Sequence, residues 1–145
     1  MGTFFEEFAR MFFSEALRDV RRAEGAFKEG DYPEVVFHAQ QAVEKAVKAM
    51  IEAKREYVLN HGPALASQFS RLFVEELGDD LDLVVESLGW FLEYYTRSRY
   101  PFLLRGEVIS PGKYIERSTA EEALERCRRV VSVAEEYLRT KGLLR

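Results

Sequence analysis

Apolar residues fall three and four positions apart along most of the chain, the spacing of a helical face. Phe5, Phe8, Phe12, Ala16, Val20, Ala23 and Phe27 form the first such stripe, and Gly30 stops it. Asp31 stands as a cap three residues before Glu34, with Pro33 tolerated in a first turn. Val36, Ala39, Val43, Ala46 and Met50 then carry a second helix to about Arg55. Asn60, Gly62 and Pro63 break the chain. A third helix buries Leu65, Phe69, Leu72 and Leu77 and ends at Gly78. Asp79 or Asp80 opens a fourth, with Leu81, Val84, Leu88, Phe91 and Tyr95 on one face. The last helix starts at Ser118 or Thr119, with Glu121 or Glu122 completing a capping box. Its stripe is Ala120, Leu124, Cys127, Val131, Ala134 and Leu138, and Gly142 ends it.

No alternation of period two bounded by turn signals stands out, so strands are not expected. The pattern predicts an all-α, antiparallel up-and-down helical bundle of about five helices, with residues 1–145 forming one domain. One connection is long. Residues 99–117 hold two Pro and two Gly, which forbids a continuous helix, yet they are apolar and aromatic enough to pack in an ordered way.

Composition sharpens this picture. With 47% apolar and 13% aromatic residues the chain is not disordered. No apolar run approaches the ~20 residues of a membrane span, and the opening residues lack the basic region of a secretory signal. No membrane association is expected, and the cytoplasm is the default location. Cys127 is the single cysteine, so disulfides and multi-cysteine zinc sites are excluded. His38 and His61 are the only histidines, and neither a metal nor a cofactor is expected. Scarce Asn and Gln suit a thermophile.

The net charge of −4 argues against a nucleic-acid-coating protein, but it is unevenly spread. Residues 97–117 carry Arg97, Arg99, Arg105, Lys113 and Arg117 against Glu107 and Glu116, a net +3 that leaves −7 for the rest. The second helix carries a polar stripe: His38, Gln41, Lys45, Lys48 and Glu52, at helical steps. Imidazole and amide groups offer directional hydrogen bonds that a purely solvated Lys/Glu face lacks. The stripe therefore reads as a polar groove or a dimer surface, against the plainer reading of a solvated face with a Glu44–Lys48 pair.

Residues 29–50, GluGlyAspTyrProGluValValPheHisAlaGlnGlnAlaValGluLysAlaValLysAlaMet, resemble the signature of HEPN domains, helical nucleotide-binding-type domains of archaea and bacteria. AlaLeuArgAspValArgArgAlaGlu at 16–24, His61 before the third helix, ArgTyrPro at 99–101 and Tyr114 ahead of the last helix agree with it. The resemblance spans roughly residues 14–140. It implies a bundle that dimerises through its central helices and pairs with a minimal nucleotidyltransferase in toxin–antitoxin-like modules. Many members of the wider family are metal-independent ribonucleases. These place an Arg, four to six residues, then a His near the last helices, where His moves a proton at a ribose 2′-hydroxyl and Arg holds phosphate charge. No histidine lies beyond His61 here, so that motif is missing from its usual place. Arg55 and His61 have the spacing but lie between the second and third helices.

The preferred expectation is a non-catalytic homodimer. It would bind a nucleotide, RNA or a nucleotidyltransferase through His38, Gln41, Lys45, Lys48, Arg97, Arg99, Tyr100 and Arg105. The alternative is a ribonuclease toxin using His61, Arg55 or His38, and a third class is a purely structural dimer. Dimerisation is expected also because Val35, Ala42, Ala46 and Ala49 widen the second helix's apolar stripe beyond one side. His61 also reads as a helix-entry residue and Cys127 as a small core side chain. Trp90 reads as packing or a dimer contact, and Tyr94 and Tyr95 as core packing, with stacking on a base as the alternative.

Overall fold

The structure, a computed structural model, describes residues 3–58 and 62–144. Helix α1 (Thr3–Lys28) turns back on α2 (Tyr32–Ala53), followed by α3 (Pro63–Phe73) and α4 (Asp79–Tyr95). A hairpin of β1 (Phe102–Leu104) and β2 (Glu107–Ile109) leads to the short α5 (Pro111–Tyr114) and the long α6 (Arg117–Thr140).

Local signals fix the first turn. Gly30 adopts φ 75°, and the amides of Gly30 and Asp31 reach back to the carbonyls of Phe27 and Ala26, closing α1. The Asp31 side chain then accepts from the Glu34 amide, as its cap position predicts. Gly142 ends α6 with the same pair of bonds.

Helix α2 is the axis of the molecule. It packs on α1, α6 and α4, and its buried residues include Val35, Val36, Ala39, Ala42, Val43 and Ala46. The width of its apolar surface is therefore met within the chain, and does not require a second copy to cover it. Alanines explain the close approach: Ala9, Ala16 and Ala23 of α1 and Ala39, Ala42, Ala46 and Ala49 of α2 are all fully buried. Most of the expected α1 stripe faces inward: Ala16 and Ala23 are fully buried and Phe12, Val20 and Phe27 pack against the core. Only its start is displaced, where Ala9 and Phe13 are buried and Phe8 is exposed. Arg128 on α6 pairs with Glu24 on α1 at 2.6 Å, and Arg10 donates to the Leu143 carbonyl at 2.9 Å. These contacts run α6 antiparallel to α1.

Three further details of the helices differ from expectation. Helix α3 stops at Phe73, short of Leu77, because Lys54 at the end of α2 donates to the Leu72 carbonyl at 2.7 Å and pairs with Glu76. Helix α6 starts at Arg117, with Glu116 at its cap position and no side-chain cap bond, so the expected Ser118/Thr119 capping box does not form. Tyr95 of the α4 stripe is exposed.

The largest correction is the hairpin, where no strand was expected. Phe102 pairs with Ile109, Leu103 with Val108 and Leu104 with Glu107 around the two-residue turn Arg105–Gly106. Both turn residues have positive φ, 51° and 79°, the backbone that suits the right-handed twist of two strands. The segment is held by an aromatic chain. Trp90 meets Tyr94 in a tilted pair at 4.6 Å, Tyr94 lies 6.2 Å from Tyr114, and Tyr114 meets Phe102 edge-on at 4.9 Å. Ile115 beyond it is fully buried. Packing is thus the role of Trp90 and Tyr94. Among the described residues no helix is long and apolar enough to cross a membrane.

Candidate functional site

Helix α2 presents Glu34 and His38 one turn apart, and the chain leaving α4 brings Arg99 to them. Arg99 Nη1 donates to Glu34 Oε1 at 3.1 Å, and His38 Nε2 lies 3.2 Å from Glu34 Oε2. One carboxylate thus joins an imidazole and a guanidinium that stand 61 residues apart in sequence. Phe37 supports both. The Arg99 guanidinium carbon sits 3.8 Å over its ring centroid, and the His38 ring meets it edge-on at 5.2 Å. All three polar groups reach solvent. The cluster can therefore take an anion, or shuttle a proton between His38 and Glu34.

The other expected site residues are mostly engaged elsewhere. Lys45 binds the buried Asp19 of α1 at 2.6 Å, and Arg22 binds the same carboxylate at 2.7 Å, so Lys45 clamps α1 to α2. Lys48 lies 3.8 Å from Glu44, the expected pair, and Gln41 donates to Gln40, which donates to Glu44. Arg97 donates to the Tyr114 hydroxyl at 2.8 Å and lies over the Phe102 ring, so it pins the hairpin. Tyr100 is exposed beside Arg99, and Arg105 is exposed at the hairpin tip. Arg55 stands exposed in the turn after α2, at φ 63°, while His61 lies outside the described residues. The structure gathers His38 and Arg99, and Tyr100 follows Arg99 in the chain. It adds Glu34 and Phe37, which sequence reasoning missed. The Glu34–His38 spacing of one helical turn was the available signal, but Glu34 reads first as a cap partner.

A larger groove than the surroundings of this cluster lies elsewhere. It encloses about 710 Å³ between α4 and α6 and is lined by Asp79, Asp82, Glu86, Glu121, Glu122 and Glu125, with Arg126 and Arg129. That excess of carboxylates repels a phosphate, so the groove is not the anion site. Cys127 is fully buried on α6 with its Sγ–H directed at the Leu124 carbonyl. Burial pushes its thiol up to about 12, which leaves no thiolate for nucleophilic chemistry at neutral pH.

Glu52, the last member of the polar stripe, is not solvated. It is 6% exposed, and its Oε2 has no hydrogen-bond partner among the described residues. Burial raises its pKa above the ordinary carboxylate value. The folded chain thus holds the proton to higher pH than the unfolded chain. The resulting stability is present below the unfolded value and is lost as pH rises through the folded one. Glu52→Gln should therefore stabilise the protein at pH 7 by about 1 kcal/mol, with the gain vanishing near pH 4. Urea midpoints at the two pH values check this, and an equal gain at both would exclude ionisation as the cause.

A family model described as the HEPN domain matches residues 9–137. The chain belongs to the HEPN family. This HEPN chain is 30% identical over 143 residues to the protein named "Putative toxin MJ1304" from Methanocaldococcus jannaschii, covering 93% of this chain and 91% of that one. Among solved structures it is similar to TT1696 from Thermus thermophilus, with a TM-score of 0.70 and 28% identity, over 90% of this chain and 98% of that one. The structure of ST0689, described as an archaeal HEPN homologue, superposes with a TM-score of 0.66 at 24% identity, over 88% and 95% of the two chains. The helical bundle is thus the HEPN fold.

Proposed function

We propose that this HEPN chain is the single-domain, non-catalytic binding component of a toxin–antitoxin-like module. It acts in the cytoplasm as a homodimer, binds a nucleotide or RNA on the face around Arg99 and His38, and pairs with a minimal nucleotidyltransferase. The observation that carries the binding role is the meeting of His38 and Arg99 on one carboxylate, beside the basic hairpin segment. The toxin name of the Methanocaldococcus relative supports the module. Exposed Phe4, Phe8 and Met11 on α1, with Leu103 and Val108 on the hairpin, support a second copy, since such apolar side chains are unfavourable in water.

Fluorescence anisotropy with labelled single-stranded RNA tests the reading. Affinity should fall steeply as salt is raised, because phosphate contacts release counterions. Sedimentation should show twice the 16.8 kDa of one chain. RNA binding that ignores salt, or a monomer at tens of micromolar, would contradict it.

One observation favours a metal-independent ribonuclease as the second reading: His38 has an arginine held on the same carboxylate that it contacts. That pairs a proton-transfer group with a phosphate binder. The expected result is that the protein leaves RNA intact in EDTA. Cleavage that disappears in His38→Ala would establish the ribonuclease instead.

A further inference from the structure

We propose that Glu34 occupies the seat of a ligand phosphoryl group and has to turn away before that ligand binds. The inference rests on the binding reading above and adds a built-in competitor to it. One oxygen of the Glu34 carboxylate accepts from Arg99 at 3.1 Å, and the other lies 3.2 Å from His38 Nε2. A phosphoryl group presents two oxygens on one central atom in the same way. It adds a further oxygen and, as a monoester, more charge near neutral pH. A single N–H of the Arg99 fork is used on Glu34, and a tetrahedral anion engages such a fork more fully.

The seat survives the departure of Glu34. Arg99 lies on the face of Phe37 at 3.8 Å and His38 stands against the same ring, so neither donor depends on the carboxylate for its place. The carboxylate itself is loosely held. The side chains of Glu34 and Arg99 are 39% and 37% exposed, and exposed ion pairs contribute little to stability. An exposed carboxylate between two groups supported by the Phe37 ring is a competitor that a more highly charged anion displaces.

Calorimetric titration with inorganic phosphate, adenosine monophosphate and a 5′-hydroxyl RNA oligonucleotide tests this on the whole chain. Glu34→Gln should bind inorganic phosphate and the mononucleotide about tenfold more tightly than the wild type. The gain should disappear in Glu34→Gln/Arg99→Ala, and also in Glu34→Gln/Phe37→Leu, where the shelf is lost. A gain restricted to the two monoester-type probes identifies a terminal phosphoryl group, and a gain shared by the RNA identifies an internal phosphodiester. Glu7→Gln, at the far end of α1, controls for net charge, and thermal melts confirm that each variant folds. An equal gain in Glu7→Gln overturns the proposal. So does unchanged or weaker binding in Glu34→Gln, and if Arg99→Ala still impairs RNA binding then the binding face stands without the competitor. If no probe binds either the wild type or Glu34→Gln, the binding reading falls with it.

Discussion

Asp19→Asn should lower the free energy of unfolding by about 3 kcal/mol. Asp19 is 2% exposed and accepts from Lys45 of α2 and Arg22 of its own helix. Asparagine keeps the shape but removes the charge, leaving the Lys45 ammonium against the α1–α2 seam without a counter-ion. Arg22 can turn to water, since 48% of its side chain is exposed, but Lys45 is only 26% exposed. Most of the loss should therefore arise from Lys45. Urea unfolding measures it, and Asp19→Asn/Lys45→Met should recover a large part by replacing the stranded cation with an apolar side chain. A loss below about 1 kcal/mol would mean that desolvation already cancels the attraction between the two charges.

Arg99→Ala/Arg105→Ala should weaken RNA binding roughly a hundredfold at low salt. The log–log salt slope should become shallower by about 1.4, at ~0.7 per phosphate contact in a single strand. Arg97 is left out on purpose, because it secures the hairpin through Tyr114 and Phe102. Arg97→Ala should lower the melting temperature, whereas the double variant should melt like the wild type. Unchanged affinity and slope in the double variant would remove the hairpin segment from the binding face.

Much of the helical frame was legible because its signals are local. Gly30, Asp31 and Pro33 define the first turn through backbone conformation and capping, which act between near neighbours. What the sequence hid depends on distant partners. Size made Phe8 look like core, but close packing along alanines decided which residues at the start of α1 face inward. Lys54 ends α3 from another helix. The hairpin escaped notice because its turn begins with Arg105, where Asn, Asp or Gly would have announced it. His38 was visible as an unusual residue in a polar stripe, and Arg99 as part of a basic segment. Their meeting on Glu34 was not, since no spacing rule links residues 38 and 99.

The central place of α2 also bears on how the protein is made. One flank of α2 is covered by α1, which precedes it, and another by α6, which follows more than sixty residues later. While the ribosome is still adding residues 117–140, the nascent chain exposes the α2 surface that α6 later covers. At synthesis rates of ~5–20 residues per second that interval lasts about one to five seconds. The bundle closes only when α6 arrives, so a transcript cut short before that helix yields a chain destined for proteolysis rather than a partly active product.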